Sequence, residues 1–335
     1  MLHIITSPDS SHASRLLRSR LIEESIKHPE GQFIVLVPEQ ATLQMQRSVI
    51  ESHPKHAVMN IDIISFDRLA HKVFEELGCE GQSVLNDTGK ILILRKVLEE
   101  CRDDLVMYRN KVHMPGFAEQ MKSAITELRQ YDLDDNDLYL MQESALRTGN
   151  QVLYSKLQDI RLVHRKFRET IAQTYTTQEE VLGVLASLVG RSAMLRGAAI
   201  YLDGFTGFTP VQYRLLQELV RAASDVTAAL TIPQDDTFFS LSHHTLEQLQ
   251  ELAGQQDVPC VIHNEDMELH IPRAYVYSAS DIRSEITFIA SRILYGVRRE
   301  GRRFRDYAIV LSDMESYHRL TQEIFTEAGI PAFID

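Results

Sequence analysis

The feature that most constrains this fold lies at the start of the chain, where short β-branched runs are each followed by a helical stretch as far as residue 78. His3 to Ile5, Phe33 to Val37 and Ile61 to Ser65 read as strands. Ser14 to Lys27, Ala41 to Ile50 and Arg68 to Leu77 read as helices, with Gly78 as a stop. Antiparallel neighbours need only a hairpin, whereas a helix between strands returns the chain to the same end of the sheet. The expectation is therefore an α/β fold with a parallel sheet flanked by helices.

From Asn86 to Val189 the alternation gives way to long amphipathic helices. Leu153, Leu157, Ile160, Val163, Phe167 and Ile171 recur at spacings of three and four, which places them on one helical face. Asp87 and Thr88 suit a helix start, and Pro115-Gly116 and Gly149-Asn150 mark breaks. Strand and helix then return at Ala198 to Leu202, Val211 to Ala222 and Asp225 to Ile232. The expected organisation is a first lobe over residues 1–85, a helical insertion over 86–190, the lobe resumed over 191–236, a helical linker over 237–269, and a second α/β lobe beginning at 270 and running to 335. In that last part Ala274 to Tyr277, Tyr307 to Leu311 and Ala332 to Ile334 read as strands around helices at Ile282 to Arg298 and Glu315 to Ala328. So few elements cannot cover both faces of a parallel sheet, and the chain is expected to stop inside this lobe.

Charge and composition exclude several classes. A formal net charge of -12 argues against indiscriminate coating of nucleic acid, which needs clustered Lys and Arg, although it leaves room for a local groove. Lysines end at Lys166 while arginines continue, grouped at Arg298, Arg299, Arg302, Arg303 and Arg305; a solvated helix end and loop accounts for that group. No apolar run approaches the roughly 20 residues of a membrane span, and no basic-then-apolar leader opens the chain, so a cytoplasmic protein without a membrane partner is expected. Cys79, Cys101 and Cys260 are odd in number and lack CxxC spacing, which supports neither a disulfide framework nor a zinc knuckle.

A nucleotide-hydrolysing protein would place GxxxxGK[ST] after its first strand, so that backbone amides and a lysine hold phosphate. Thr6 to Ser14 has neither glycine nor lysine: Pro8 removes an amide donor, Asp9 repels phosphate, and Ser11, His12 and Ala13 occupy the end of the loop, His12 where the lysine would fall. This reads as a degenerate nucleotide site or simply a helix cap. A second element would be a strand ending in Asp-Glu, for magnesium and for water activation. Ala199 to Leu202 ends instead in Asp203-Gly204, so an acid suited to magnesium remains without the general base, and a turn-capping role for Asp203 stays open. No lysine follows an acid by two residues as in metal-dependent nucleases, and His243-His244 has no zinc-binding context. Catalysis and a resident cofactor are not expected within these residues.

Leu36-Val37-Pro38-Glu39-Gln40-Ala41-Thr42, Ser65-Phe66-Asp67-Arg68-Leu69-Ala70 and Tyr201 to Tyr213 (YLDGFTGFTPVQY) resemble the LVPxQxT, SFxRLA and DGFTxFTPxQ signatures of the AddB (RexB) family, which forms part of the bacterial AddAB (RexAB) helicase/nucleases. Gly329 to Asp335 is similar to the family's second-lobe GIPxFID segment, so the resemblance spans essentially the whole chain. It implies a superfamily 1 helicase-like lobe with a helical insertion and the start of a second lobe. It also implies a heterodimeric partner of the AddA/RexA helicase-nuclease type, single-stranded DNA from double-strand break ends as ligand, and a part in homologous recombination and repair. Family members carry Mg²⁺ and an iron-sulfur cluster in a nuclease domain that these residues do not match. Positions matching family DNA contacts are Gln40, Thr42, Phe66 and Arg68, with His71 where relatives often have an aromatic residue.

Those types suit the task, since an aromatic ring stacks on bases, Arg binds phosphate or guanine, and Gln and Thr hydrogen-bond. The alternative is that Phe66 is core and Arg68 a surface helix residue. The function expected is a non-hydrolysing reader of single-stranded DNA for the recombination hotspot Chi. Its rivals are an active ATP-dependent helicase and a structural scaffold for the AddA-type partner.

Overall fold

The computed structural model describes residues 1–57, 59–78, 83–171, 175–233, 239–265 and 274–333. The described chain forms two compact units, Met1–Leu269 and His270–Asp335.

The first unit opens β1 (Leu2–Ser7), α1 (Ser10–Lys27), β2 (Phe33–Leu36), α2 (Thr42–Ser52), β3 (Ile61–Ile64) and α3 (Phe66–Leu77). There follow β4 (Ser83–Leu85), α4 (Asp87–Glu100), α5 (Phe117–Gln130), α6 (Asp135–Arg147), α7 (Gln151–Ile171), β5 (Tyr175–Thr177) and α8 (Gln178–Leu188). The unit closes with β6 (Ala199–Leu202), α9 (Pro210–Ala222), β7 (Asp225–Thr231), α10 (Ser240–Gln255) and β8 (Cys260–Asn264). Six strands make one sheet in the order β3-β2-β6-β7-β1-β8, and every pairing in it is parallel.

Side chains alternate across the sheet, so each face needs its own apolar cover. Ile34, Leu36, Ile200, Leu202 and Ala228 are buried with α3, α8, α9 and α10 on one side. Val35, Tyr201 and Ala229 are buried with Leu17 and Leu21 of α1 and Met45 and Val49 of α2 on the other. This is the parallel α/β architecture that the alternation predicted, and it is consistent with the helicase-like lobe that the resemblance implies. Gly78 takes the left-handed conformation (φ 65°) that ends α3, where the sequence placed a stop.

Two stretches differ from the expectation. Residues 237–269 do not form a helical linker: after α10 comes β8, which pairs with β1 and completes the sheet edge. Its half-polar sequence, Cys260-Val261-Ile262-His263-Asn264, is that of an edge strand exposed along one side, and it lacks the apolar continuity of β2 or β7. Likewise α8 buries Val181, Leu185 and Leu188 in the sheet's core, although the insertion was expected to run to residue 190.

The inserted helices hold a core of their own, including Leu94, Leu98, Met121, Val163 and Phe167. One carboxylate organises the irregular stretch after α4. Asp159 on α7 is fully buried, and it accepts hydrogen bonds from the backbone amides of Val106, Met107 and Tyr108 at 2.8 Å each.

In the second unit α11 (Ile282–Arg299) and α12 (Met314–Glu327) pack through Ile286, Ala290, Ile293, Ile324 and Phe325. The strands expected at Ala274 to Tyr277 and Tyr307 to Leu311 have no ladder partner among the described residues, and neither do Ala332 and Phe333; Ile334 lies outside them. Extended backbone becomes sheet only by pairing, and β-branched composition alone does not supply a neighbour.

Asp159→Ala removes three hydrogen bonds to a buried carboxylate, each worth roughly 1.5–3 kcal/mol. A loss of at least about 3 kcal/mol is expected in urea unfolding. An unchanged midpoint would show that the loop is held by something else.

Candidate functional site

Parallel strands deliver their carboxyl ends, and the loops beyond them, to one edge of the sheet, where open α/β sheets bind ligands. Two features lie there.

The first is the turn between β1 and α1. Only Pro8 and Asp9 separate strand from helix. Asp9 is the N-cap, and its carboxylate accepts the Ser11 amide at 2.9 Å. An anion-binding loop presents such amides to phosphate; here the chain's own carboxylate holds one of them and places negative charge at the helix end. Ser11 is exposed, and His12 is half-buried with its Nδ1 3.4 Å from Arg15 Nη2. Ala13 is buried against the second core. None of these three reaches Asp203.

Ser14 does. Its hydroxyl donates to Asp203 Oδ1 at 2.7 Å. Asp203 is 7% exposed, and burial pushes its carboxyl up, opposed by the Ser14 hydroxyl, the Gly204 amide and the Arg18 charge. The loop motif drew attention to residues 11–13, but helical spacing was the better guide: Ser14 and Arg18, four residues apart, share the face of α1 turned to this carboxylate. Gly204 has φ 78°, and a Cβ there would sit 3.3 Å from Pro38 Cδ. The position after Asp203 is thus built for glycine.

The second feature is a cavity of about 570 Å³ at the ends of β2, β3 and β6, lined by Pro38, Glu39, Phe66, Asp67, Phe205 and Thr209 among others. The sheet order sets these three strands side by side, which is why motifs from residues 36–42, 65–70 and 201–213 converge. On the β2 side Gln40 is exposed, while Thr42 is half-buried with its hydroxyl donating to the Glu39 carbonyl at 2.9 Å. On the β3 side Ser65 caps α3 through the Arg68 amide. The Arg68 and His71 side chains are exposed, one helical turn apart, and Arg68 forms no ion pair among the described residues.

Phe66 is only 6% exposed. Its ring packs against Phe205 and Phe208, with centroids 5.5 and 6.4 Å away. Of the two roles open for Phe66, its burial is that of a core residue, and the ring borders the cavity from within the aromatic cluster. Removing the ring from such a site ordinarily destabilises by about 3–5 kcal/mol, so Phe66→Ala is a test of folding before it is a test of binding. Phe205 and Phe208 were not singled out as site residues, although their motif directly follows a strand end, which is the positional signal that marks them.

Neither feature gathers a metal centre. Among the described residues no three His, Cys, Asp or Glu side chains stand close enough to hold an ion. Cys101 is buried in the insertion core and Cys260 lies on β8, so these thiols do not fit an iron-sulfur cluster; Cys79 lies outside the described residues.

Asp203 retains its proton to higher pH when folded than when unfolded, so its ionisation destabilises the fold as pH rises from about 4 through the folded value. The stability of Asp203→Asn minus that of the parent should therefore grow between pH 4 and pH 7 in thermal or urea unfolding. A pH-independent difference would show an unperturbed carboxyl.

The comparisons with known proteins agree with this architecture. The family described as "ADDB, N-terminal" matches residues 5–277. The chain is similar to the B subunit of the ATP-dependent helicase/deoxyribonuclease of Lachnoclostridium phytofermentans, with 35% identity over all of this chain and 32% of the relative. The protein of the same name from Symbiobacterium thermophilum is 34% identical over all of this chain and 32% of its own length. That of Geobacillus kaustophilus is 32% identical over 92% of this chain and 30% of the relative. The chain thus spans about a third of the length of these curated relatives.

Proposed function

This chain belongs to the AddB N-terminal family, and from that premise we propose that it is a non-hydrolysing, helicase-like lobe that reads single-stranded DNA within a double-strand-break repair helicase/nuclease. The relatives are named as one component of a multi-chain enzyme, which supports a complementary, AddA-type chain as partner. In this reading that partner supplies the motor and draws the strand past the carboxyl edge of the sheet, where a pause at a hotspot such as Chi is decided.

The observation that carries the reading is the pairing of a closed nucleotide turn with an open rim. At the turn Asp9 occupies the α1 N-terminus and Gly204 stands where a water-activating acid would be. At the rim Gln40, Arg68 and His71 remain exposed beside the cavity. Arg68 offers phosphate or guanine contacts and Gln40 an amide for adenine. Glu39 and Asp67, on the cavity wall, disfavour phosphate entry and suit amino groups on base edges, so bases are expected to face inward with the backbone toward Arg68. Phe66 acts here as a support, holding the Phe205-Phe208 loop in place.

No ATP turnover is expected from the chain, with or without single-stranded DNA. Stimulated turnover lost on Asp203→Ala would overturn the non-hydrolysing assignment.

In the complete complex, Gln40→Ala and Arg68→Ala should each weaken hotspot recognition by about 1–3 kcal/mol, roughly 5- to 150-fold, while leaving unwinding near wild type. A wild-type hotspot response from both variants would mean the strand is read elsewhere.

A further inference from the structure

The second unit carries a surface that neither the nucleotide turn nor the rim absorbs. On α11, Phe288, Arg292, Tyr295 and Arg299 follow at intervals of four, three and four residues, which places them along one face of the helix. All four are exposed, Phe288 at 39% and Tyr295 at 53%. Beside the stripe's start, the Tyr277 ring lies 4.7 Å from Phe288, and Tyr275 lies 6.5 Å from Tyr277. Farther along, the Arg292 guanidinium lies over the Tyr295 ring at 5.8 Å. Tyr275, Tyr277 and Tyr295 are each more than half exposed.

The charges on this face are not neutralised internally. Arg292 and Arg299 form no ion pair among the described residues. The acids nearest in sequence are engaged elsewhere: Glu300 with Arg302 at 3.0 Å, Glu285 with the Tyr317 hydroxyl at 2.7 Å, and Asp281 as the cap of α11. In a chain of net charge -12, an alternation of exposed aromatic rings and guanidinium groups without ion pairs among the described residues is a local exception. A partner helix would call for contiguous aliphatic side chains, and an acidic peptide would leave the rings unused. A single strand of nucleic acid matches both components, because its bases offer π faces and its backbone one negative charge per nucleotide.

We propose that the face of α11 bearing Phe288, Arg292, Tyr295 and Arg299, extended by Tyr275 and Tyr277, is a sequence-tolerant platform for single-stranded DNA. Phe288 to Arg299 spans about 16 Å of helix, the length of about five stacked nucleotides. With its rings stacking on any base and its guanidinium groups assigned to phosphates, the face grips the strand without reading it. The inference rests on the reading that the chain handles single-stranded DNA, and assigns a second contact region to it.

The test uses the whole 335-residue chain with a fluorescein-labelled oligothymidylate, read by anisotropy across a salt series, and an iododeoxyuridine-substituted version for photocrosslinking and peptide mapping. Crosslinks are expected at Tyr277, Phe288 or Tyr295. R292E/R299E should bind at least tenfold more weakly, and its log-affinity against log-salt slope should be shallower by about 1.4, the value for two lost phosphate contacts on a single strand. F288A/Y295A should weaken binding while leaving that slope unchanged, and matching thermal unfolding curves exclude a folding defect. Crosslinks confined to residues 36–71 and 201–213, with wild-type binding by both double variants, would overturn the platform while supporting the rim reading. No oligothymidylate binding by the parent chain would overturn both.

Discussion

Everything in the first unit follows from one constraint: six strands hydrogen-bonded in parallel register cannot be joined by hairpins and must be covered on both faces. The helices α1 and α2 on one face and α3, α8, α9 and α10 on the other supply that cover, which is why the chain builds two separate apolar layers. The same constraint brings every strand out at a single edge. Asp203, at the end of a central strand, meets α1, while loops from β2 and β3, distant in sequence from β6, form one cavity with it. The helical insertion interrupts the chain between β3 and β6 without interrupting the sheet, since β2 pairs with both.

Buried polar groups show where the fold carries an electrostatic burden. Asp159 gains three amide donors, enough to compensate a carboxylate removed from water. Asp203 accepts from the Ser14 hydroxyl and the Gly204 amide, and its burial pushes the carboxyl pKa up. A residue kept in such a position is ordinarily a functional or inherited feature of a strand end, since a smaller neutral side chain would be easier to accommodate. Phe66 joins the two settings, bordering the cavity while it packs against Phe205 and Phe208.

Much of this was legible in the sequence. β1, β2, β3, β6 and β7 are short β-branched runs bounded by helical periodicity, and Gly78, Gly116 and Gly149 all take the positive φ that a break requires. The edge strand β8 was not legible, because an edge needs neither continuous apolarity nor strong β-propensity to be recruited by β1. The stretches around Val276 and Val310 were misleading for the converse reason: their composition favours strands, but both side chains are almost fully exposed and, among the described residues, no neighbour pairs with them. Within the site, motif matching located the right loops, but the burial of Phe66 and the hydroxyl of Ser14 depend on which elements the topology sets opposite each other.

The conformation of Gly204 also ties two distant segments of the chain together. With φ at 78° and Pro38 Cδ 3.3 Å from where a Cβ would stand, any larger residue beside Asp203 calls for a reshaped β6 loop and a displaced Pro38. The two loops are therefore coupled at one point: a side chain placed at 204 is felt first at Pro38, so the turn after Asp203 and the wall of the cavity share a single pivot and cannot be altered independently.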